Sequence, residues 1–205
     1  AVGWERREAF RRNLLPISEA VALAQKADRA PVIFADSGDN PGGGGTGRTS
    51  QFLEALLAAE PGPERLYYGS FYDPPLAESA HEAGLGGTIT ANFNTLPGTQ
   101  YDRPVMVEAK VVGLNDGDVV GRLGLFAGRT MKLGKAAALR VGGMTIIVIS
   151  DRSQTADPMF FEVFGLDIAQ AHTVVVKSRG HFRAGFRPWF APEQVYEIDT
   201  EGLTS

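Results

Sequence analysis

The chain has 205 residues, 43% hydrophobic and 21% charged, with a formal net charge of −4. Such a length supports one sizeable core, so 1–205 reads as a single domain, and the composition is that of an ordinary globular chain. The acidic balance gives no electrostatic case for nucleic acid, no Lys/Arg run suggests an anionic membrane, and no apolar run approaches the roughly 18 residues of a membrane span. The absence of cysteine excludes disulfides, thiolate metal sites and a cysteine nucleophile, and it fits a reducing, cytoplasmic setting. A chain that opens at Ala1 without a methionine reads as a processed or excised piece of something longer.

Residues 4–15 are charged and helix-permissive, with Pro16 as their stop, and Ser18 can cap a second helix over 19–27. Val32 to Ala35 is a short apolar run without polar alternation, which suits a strand covered on both faces. Asp36, Asp39, Asn40 and Pro41 follow, then four consecutive glycines from Gly42 to Gly45. Thr49 or Ser50 can cap the next helix, whose Phe52, Leu53, Leu56 and Leu57 make one apolar stripe. The run Pro61-Gly62-Pro63 breaks that helix, and 65–71 reads as a second strand. Asp73 caps a helix with Pro74 in its first position, closed by Gly84. Strand, helix, strand, helix in short units predicts a βαβ arrangement with a parallel core.

From Gly86 the pattern changes. Polar and apolar residues alternate over 88–93 and 105–111, and Gly142-Gly143 separates two strand-like runs as a hairpin turn would. The stretch 86–150 therefore reads as largely antiparallel sheet with one solvated face. Asp157-Pro158 starts a short helix stopped by Gly165. Residues 172–177 form a last buried strand, and 195–198 an edge strand. The fold expected is α/β: a mainly parallel sheet flanked by helices, with an added antiparallel section.

The glycine run satisfies loose phosphate-loop patterns, since glycines let backbone N–H groups approach an anion at a helix N-terminus. Against this, Arg48 stands where a phosphate loop has lysine, the acid-ended run 146–151 sits in hairpin-like sequence, and no acid closes the second strand. Purely structural glycines are the plain alternative. Asp36, Asp39 and Asn40 can hold a cation, split their pKa values for acid/base work, or simply shape the loop through Asx turns, which is the better reading for Asp36. Of the three histidines, His81 and His172 read as surface and strand-entrance residues. His181 differs, because Lys177, His181 and Arg183 would gather beside the glycine loop if their strands are parallel. That group suits recognition of a carboxylate or phosphate, or one proton transfer. No H-E-x-x-H and no G-x-S-x-G is present.

Taken together, ADSGDNPGGGGTG at 35–47, DPMFFEVFGLD at 157–167 and VVVKSRGHFRAGF at 174–186 resemble the microcystinase C (MlrC-like) peptidases, in their C-terminal domain. The opening WERREAF and the run LRVGGMTIIVIS at 139–150 follow in the same order. The resemblance implies part of a zinc-dependent metallopeptidase acting on small or linear peptides. Its zinc ligands and catalytic acid would lie in a larger N-terminal domain absent from this chain, which would be its partner, so no metal ligand is assigned here. It also implies that Asp39, Asn40, Pro41, Gly42, Gly43 and Gly44, with Lys177, Ser178, His181, Phe182 and Arg183, line a cleft against that domain. The expectation is that the amides of 39–44 and the Lys177/His181/Arg183 group, with Asp36 and Ser178 beside them, bind the substrate carboxylate or polarise its carbonyl, His181 being the catalytic candidate. A homo-oligomer is compatible with the sequence. The rival readings are a non-catalytic module holding a small anion in the same loop, and a nucleotide-phosphate site.

Overall fold

The structure, a computed structural model, describes residues 4, 13–26, 30–59 and 62–205. Most of the helix expected over 4–15 lies outside these residues. At its end, Leu15–Pro16 (β1) pairs in parallel with the C-terminal strand. Helix α1 (Ile17–Gln25) begins directly after Pro16, so Ser18 falls inside it and caps nothing. Strand β2 (Val32–Asp36) is buried along its whole length, as its unbroken apolar run requires. Helix α2 (Gln51–Leu57) buries Phe52, Leu53 and Leu56. Neither expected cap serves it: the Thr49 hydroxyl donates to Asp39, and the Ser50 hydroxyl to the Arg103 carbonyl. Strand β3 (Leu66–Tyr72) and helix α3 (Pro74–Ala83) follow as expected, with the Asp73 carboxylate accepting the Leu76 amide. Gly84 closes α3 at φ 74°, a backbone angle a side chain would strain.

Strand β4 (Thr88–Phe93) pairs antiparallel with β5 (Val105–Asn115). A small separate sheet, β6 (Asp118–Val120) with β7 (Thr130–Lys132), interrupts the section and carried no periodic signal. Strands β8 (Ala136–Val141) and β9 (Met144–Ile149) form the hairpin about Gly142-Gly143. The single solvated face expected of 86–150 holds only for β4 and β5, whose Thr88, Thr90, Asn92, Met106, Glu108 and Lys110 are exposed. Strand β9 is buried throughout because it also pairs in parallel with β3, joining the antiparallel section to the parallel core.

Helix α4 (Met159–Glu162), strand β10 (Thr173–Val176), helix α5 (Phe182–Phe186) and strand β11 (Val195–Asp199) complete the chain. Among the described residues the main sheet has nine strands in the order β1-β11-β2-β10-β3-β9-β8-β5-β4. Its first six are parallel, so the fold is α/β as expected. Two placements differ from expectation. Strand β10 inserts between β2 and β3, and β11 lies inside the sheet between β1 and β2, because two-residue β1 covers its outer edge.

Alternate residues of each central strand feed two cores, one on each side of the sheet. Val32 and Phe34 pack with Ala20, Phe52, Leu56, Leu76 and Ala80 from α1, α2 and α3. Ile33 and Ala35 pack with Phe160, Phe161, Phe182 and Phe186 from α4 and α5. Each fully buried Phe contributes about 1.5–3 kcal/mol through the water it sheds. This double covering leaves only the strand ends open to ligands.

Candidate functional site

Parallel pairing of β2 with β10 brings two chain exits together: the turn after Asp36 and the turn after Val176 leave the same edge of the sheet. This is the carboxyl edge, where ligands of open α/β sheets bind.

The innermost layer is a buried ion cluster. Lys177 Nζ donates to Asp36 Oδ2 at 2.9 Å, Asp39 Oδ2 at 2.8 Å and the Thr49 carbonyl at 2.7 Å. Asp39 also accepts the amides of Gly47 at 2.7 Å and Thr49 at 2.8 Å, and Asp36 accepts the Thr200 hydroxyl at 2.6 Å. Burial drives all three groups toward their neutral forms, but with different outcomes. For Lys177 the two carboxylates outweigh burial and hold the ammonium well above the ordinary value of 10.5. For Asp39, Lys177 and the hydrogen bonds outweigh burial and hold the carboxyl below the usual range. For Asp36, burial prevails over Lys177, the neighbouring Asp39 charge adds to it, and its pKa rises. Lys177 and Asp39 are 0% exposed and Asp36 1%. In this chain every polar arm of the cluster is turned inward, and it fixes the base of the glycine loop.

Part of the loop backbone is engaged as well. The Asn40 amide donates to Thr204 Oγ1 at 3.0 Å, Pro41 has no N–H, and the amides of Gly43 and Gly45 return to the Asn40 carbonyl at 2.8 and 2.9 Å. The Gly44 amide returns to the Pro41 carbonyl at 3.2 Å. These amides hold the loop in shape and are not offered to a substrate carboxylate or carbonyl. They are equally not free for a phosphate. Arg48 spends its guanidinium on Asn94 Oδ1 at 3.2 Å, the Pro97 carbonyl at 3.1 Å and the Leu96 carbonyl at 2.7 Å.

What the loop does present is surface. Gly42, Gly43 and Gly44 are exposed in a tight turn that ends with Gly44 at φ 100°. A Cβ at Gly42 would collide with Oε1 of Gln154, and that residue is the centre of the outer layer. Gln154 Nε2 donates to Asn40 Oδ1 and to Ser178 Oγ, both at 2.8 Å, while its Oε1 lies 3.2 Å from His181 Nδ1. With both amide hydrogens used, Oε1 can only accept, so Nδ1 of His181 carries the hydrogen and Nε2 of the neutral ring keeps a lone pair. His181 is exposed and borders a cavity of about 350 Å3 with Pro41, Gly42, Leu125, Phe126 and Arg152. Nε2 can accept an N–H from a ligand there, or carry one proton.

Of the residues expected at the site, Asn40, Ser178 and His181 are thus joined through Gln154, and Gly42, Gly43 and Gly44 form its rim. Phe182 belongs to the core. Arg183 points elsewhere: it pairs with Glu197 at 3.1 Å and borders different cavities. Gln154 escaped the sequence reading because it stands in a polar stretch with no periodicity or motif. Arg152, two residues earlier, was missed likewise. His81, expected on the surface, is half-buried with Nε2 3.1 Å from the Ala136 carbonyl.

Among the described residues no group of three or more His, Cys, Asp or Glu is arranged to hold a metal ion. The closest carboxylate pair, Asp36 and Asp39, is filled by Lys177. Among the described residues, therefore, none is arranged to fit a zinc ion. No helix among the described residues is long and apolar enough to cross a membrane.

Comparison with known proteins agrees with these observations. The chain is 32% identical over 166 residues to Microcystinase C from a Sphingomonas species, a match covering 81% of this chain and 32% of that protein. It superposes with a TM-score of 0.82 and 25% identity on the crystal structure of a candidate metallopeptidase from Mesorhizobium sp. BNC1, covering 98% of this chain and 40% of that one. The chain thus spans about a third of the curated relative it matches. Residues 34–205 match the family described as MlrC C-terminus, and the chain belongs to that family.

Proposed function

We propose that this chain is the substrate-side part of a peptidase, presenting its glycine rim and His181 to a peptide held against a second, N-terminal domain of the same protein. The observation that carries this reading is the outer layer: a side-chain-free rim at Gly42–Gly44 beside an exposed histidine that borders a cavity and whose Nδ1 is tied down. A rim without side chains lets a peptide backbone approach closely. An oriented imidazole supplies one acceptor for a peptide N–H, or one proton for a leaving amine. Zinc, on this reading, is held by the N-terminal domain and not by this chain, and the substrates are small or linear peptides. Family membership and the two relatives support the reading at the level of the peptidase class. The anion-module alternative loses part of its support, because the amides of Asn40, Gly43, Gly44 and Gly45 already have partners in the protein.

The test is His181→Ala in a protein that joins this chain to its N-terminal domain. Turnover of a linear peptide should fall on the order of 100-fold, the usual worth of a positioned acid or base, with an unchanged unfolding midpoint. Unchanged turnover would overturn the role given to His181.

A further inference from the structure

The cavity beside His181 carries more information than the presence of a histidine, because its walls differ in chemistry. One wall is cationic. Arg152 borders the cavity and donates to the Gly45 carbonyl at 3.2 Å through one nitrogen, so its other guanidinium N–H groups are not used in that bond. Several other cations near this edge are engaged. Lys177 is buried on two carboxylates, Arg48 holds three groups of the 94–97 turn, and Arg183 pairs with Glu197. Arg122 pairs with Glu162. Arg152 is the arginine that borders the cavity.

Another part of the lining is apolar and fixed. Leu125 is 39% exposed, and Phe126 beside it packs against Phe160 at 6.4 Å between centroids. The turn bearing them is anchored at its start, where the Asp157 carboxylate accepts the amides of Arg122 and Leu123, both at 2.7 Å. Gly124 lies so close to the Gly185 backbone that a Cβ would come within 2.8 Å of its nitrogen. Pro41, Gly42 and His181 also line the cavity.

We infer that this cavity takes the C-terminal residue of a peptide ending in an apolar side chain. The terminal carboxylate lies on Arg152, the side chain on Leu125 and Phe126, and the N–H of the same residue on His181 Nε2. A guanidinium fork matches the planar carboxylate, and about 350 Å3 is room for a ligand of this size. The inference rests on the reading of the chain as a substrate-side domain and adds what that domain selects.

The test uses the full chain and three probes: acetyl-Ala-Phe with a free carboxylate, its C-terminal amide, and acetate. Affinities are read by calorimetry and by the shifts of the His181 and Gly42 signals in NMR. The free acid should bind, the amide about tenfold or more weaker, acetate weaker still, and Arg152→Gln should lose the same factor for the acid but nothing further for the amide. Leu125→Ser should weaken the Phe-ended acid severalfold while leaving acetate unchanged. Equal binding of acid and amide, or full retention by Arg152→Gln at an unchanged unfolding midpoint, overturns the carboxylate assignment. Acetate binding as tightly as the peptide acid reduces the cavity to a simple anion site and overturns it too. If an enlarged protein carrying the N-terminal domain cleaves acid and amide peptides alike, the inference fails and the substrate-side reading stands. If no peptide shifts these signals and none is cleaved, both fail together.

Discussion

Two layers of the same loop behave in opposite ways. The base of the glycine loop holds its densest charge, Lys177 with Asp36 and Asp39, and none of it reaches solvent. The rim holds glycines, a neutral glutamine, a histidine and one arginine, and it is the rim that faces a cavity. Charge at a strand end is commonly taken as the mark of a working site, yet here the charged residues build and the less conspicuous ones present. Removing two carboxylates and an ammonium from water is costly, and only a dense set of hydrogen bonds offsets it. Such a cluster therefore serves the position of its backbone, and Asn40 with Gln154 carries that position outward to His181.

The largest effect should come from breaking the base. Lys177→Met leaves two buried carboxylates without their cation, and we expect a loss of about 3–5 kcal/mol in denaturant unfolding. A loss below 1 kcal/mol would mean that the cluster is not closed to water. The two aspartates should then differ. Asp39 has its pKa lowered in the fold, so its contribution is present above the ordinary value of 3.8 and is lost as pH falls below it. Asp36 has its pKa raised, so its charged form is disfavoured in the fold and its contribution has the opposite sign, being lost as pH rises. At neutral pH Asp39→Asn should accordingly be the more damaging, by roughly 2 kcal/mol or more, and should flatten the acid limb of the stability profile. Equal losses would contradict the division of charge between them. On the alkaline side the raised Lys177 stabilises below 10.5 and is lost as pH climbs past it, a limb that Lys177→Met should lack.

Smaller effects sharpen the boundary between the layers. A methyl at Gly45 would meet the Asn40 nitrogen at 2.6 Å and Asp39 Oδ1 at 2.8 Å, so Gly45→Ala should cost about 1–3 kcal/mol. At Gly44 nothing lies within 4 Å, and the cost of alanine is the backbone one alone, about 1 kcal/mol for a residue held at φ 100°. Comparing the two by thermal unfolding locates where the base ends and the rim begins. Gln154→Ala should cost least, about 1 kcal/mol, while altering the His181 ring.

Much of the fold was legible because apolar runs and turn residues report burial directly. Val32 to Ala35, the Asp73-Pro74 helix start and the Gly142-Gly143 hairpin are all where the pattern put them. Strand order was not legible. Nothing in residues 173–176 says that they insert between β2 and β3, since a strand buried on both faces looks the same anywhere in the centre. The site was legible by place and only partly by residue. The glycine turn and His181 do meet at the edge where their motifs put them, but whether Lys177 points into or out of the molecule depends on partners 128 to 141 residues away. Gln154 and Arg152 carry no local signature at all, because their roles arise only when the loop at 152–154 is laid against the glycine turn.

The most direct test of the layered account is the protonation pattern of the His181 ring nitrogens, read from 15N NMR of the chain at a pH where the imidazole is neutral. The account predicts hydrogen on Nδ1 and a free Nε2, with that preference lost in Gln154→Ala while the fold is kept. Hydrogen on Nε2 in the unaltered chain, or an unchanged pattern in Gln154→Ala, would mean that the buried base does not orient the rim, and the functional reading built on His181 would fall.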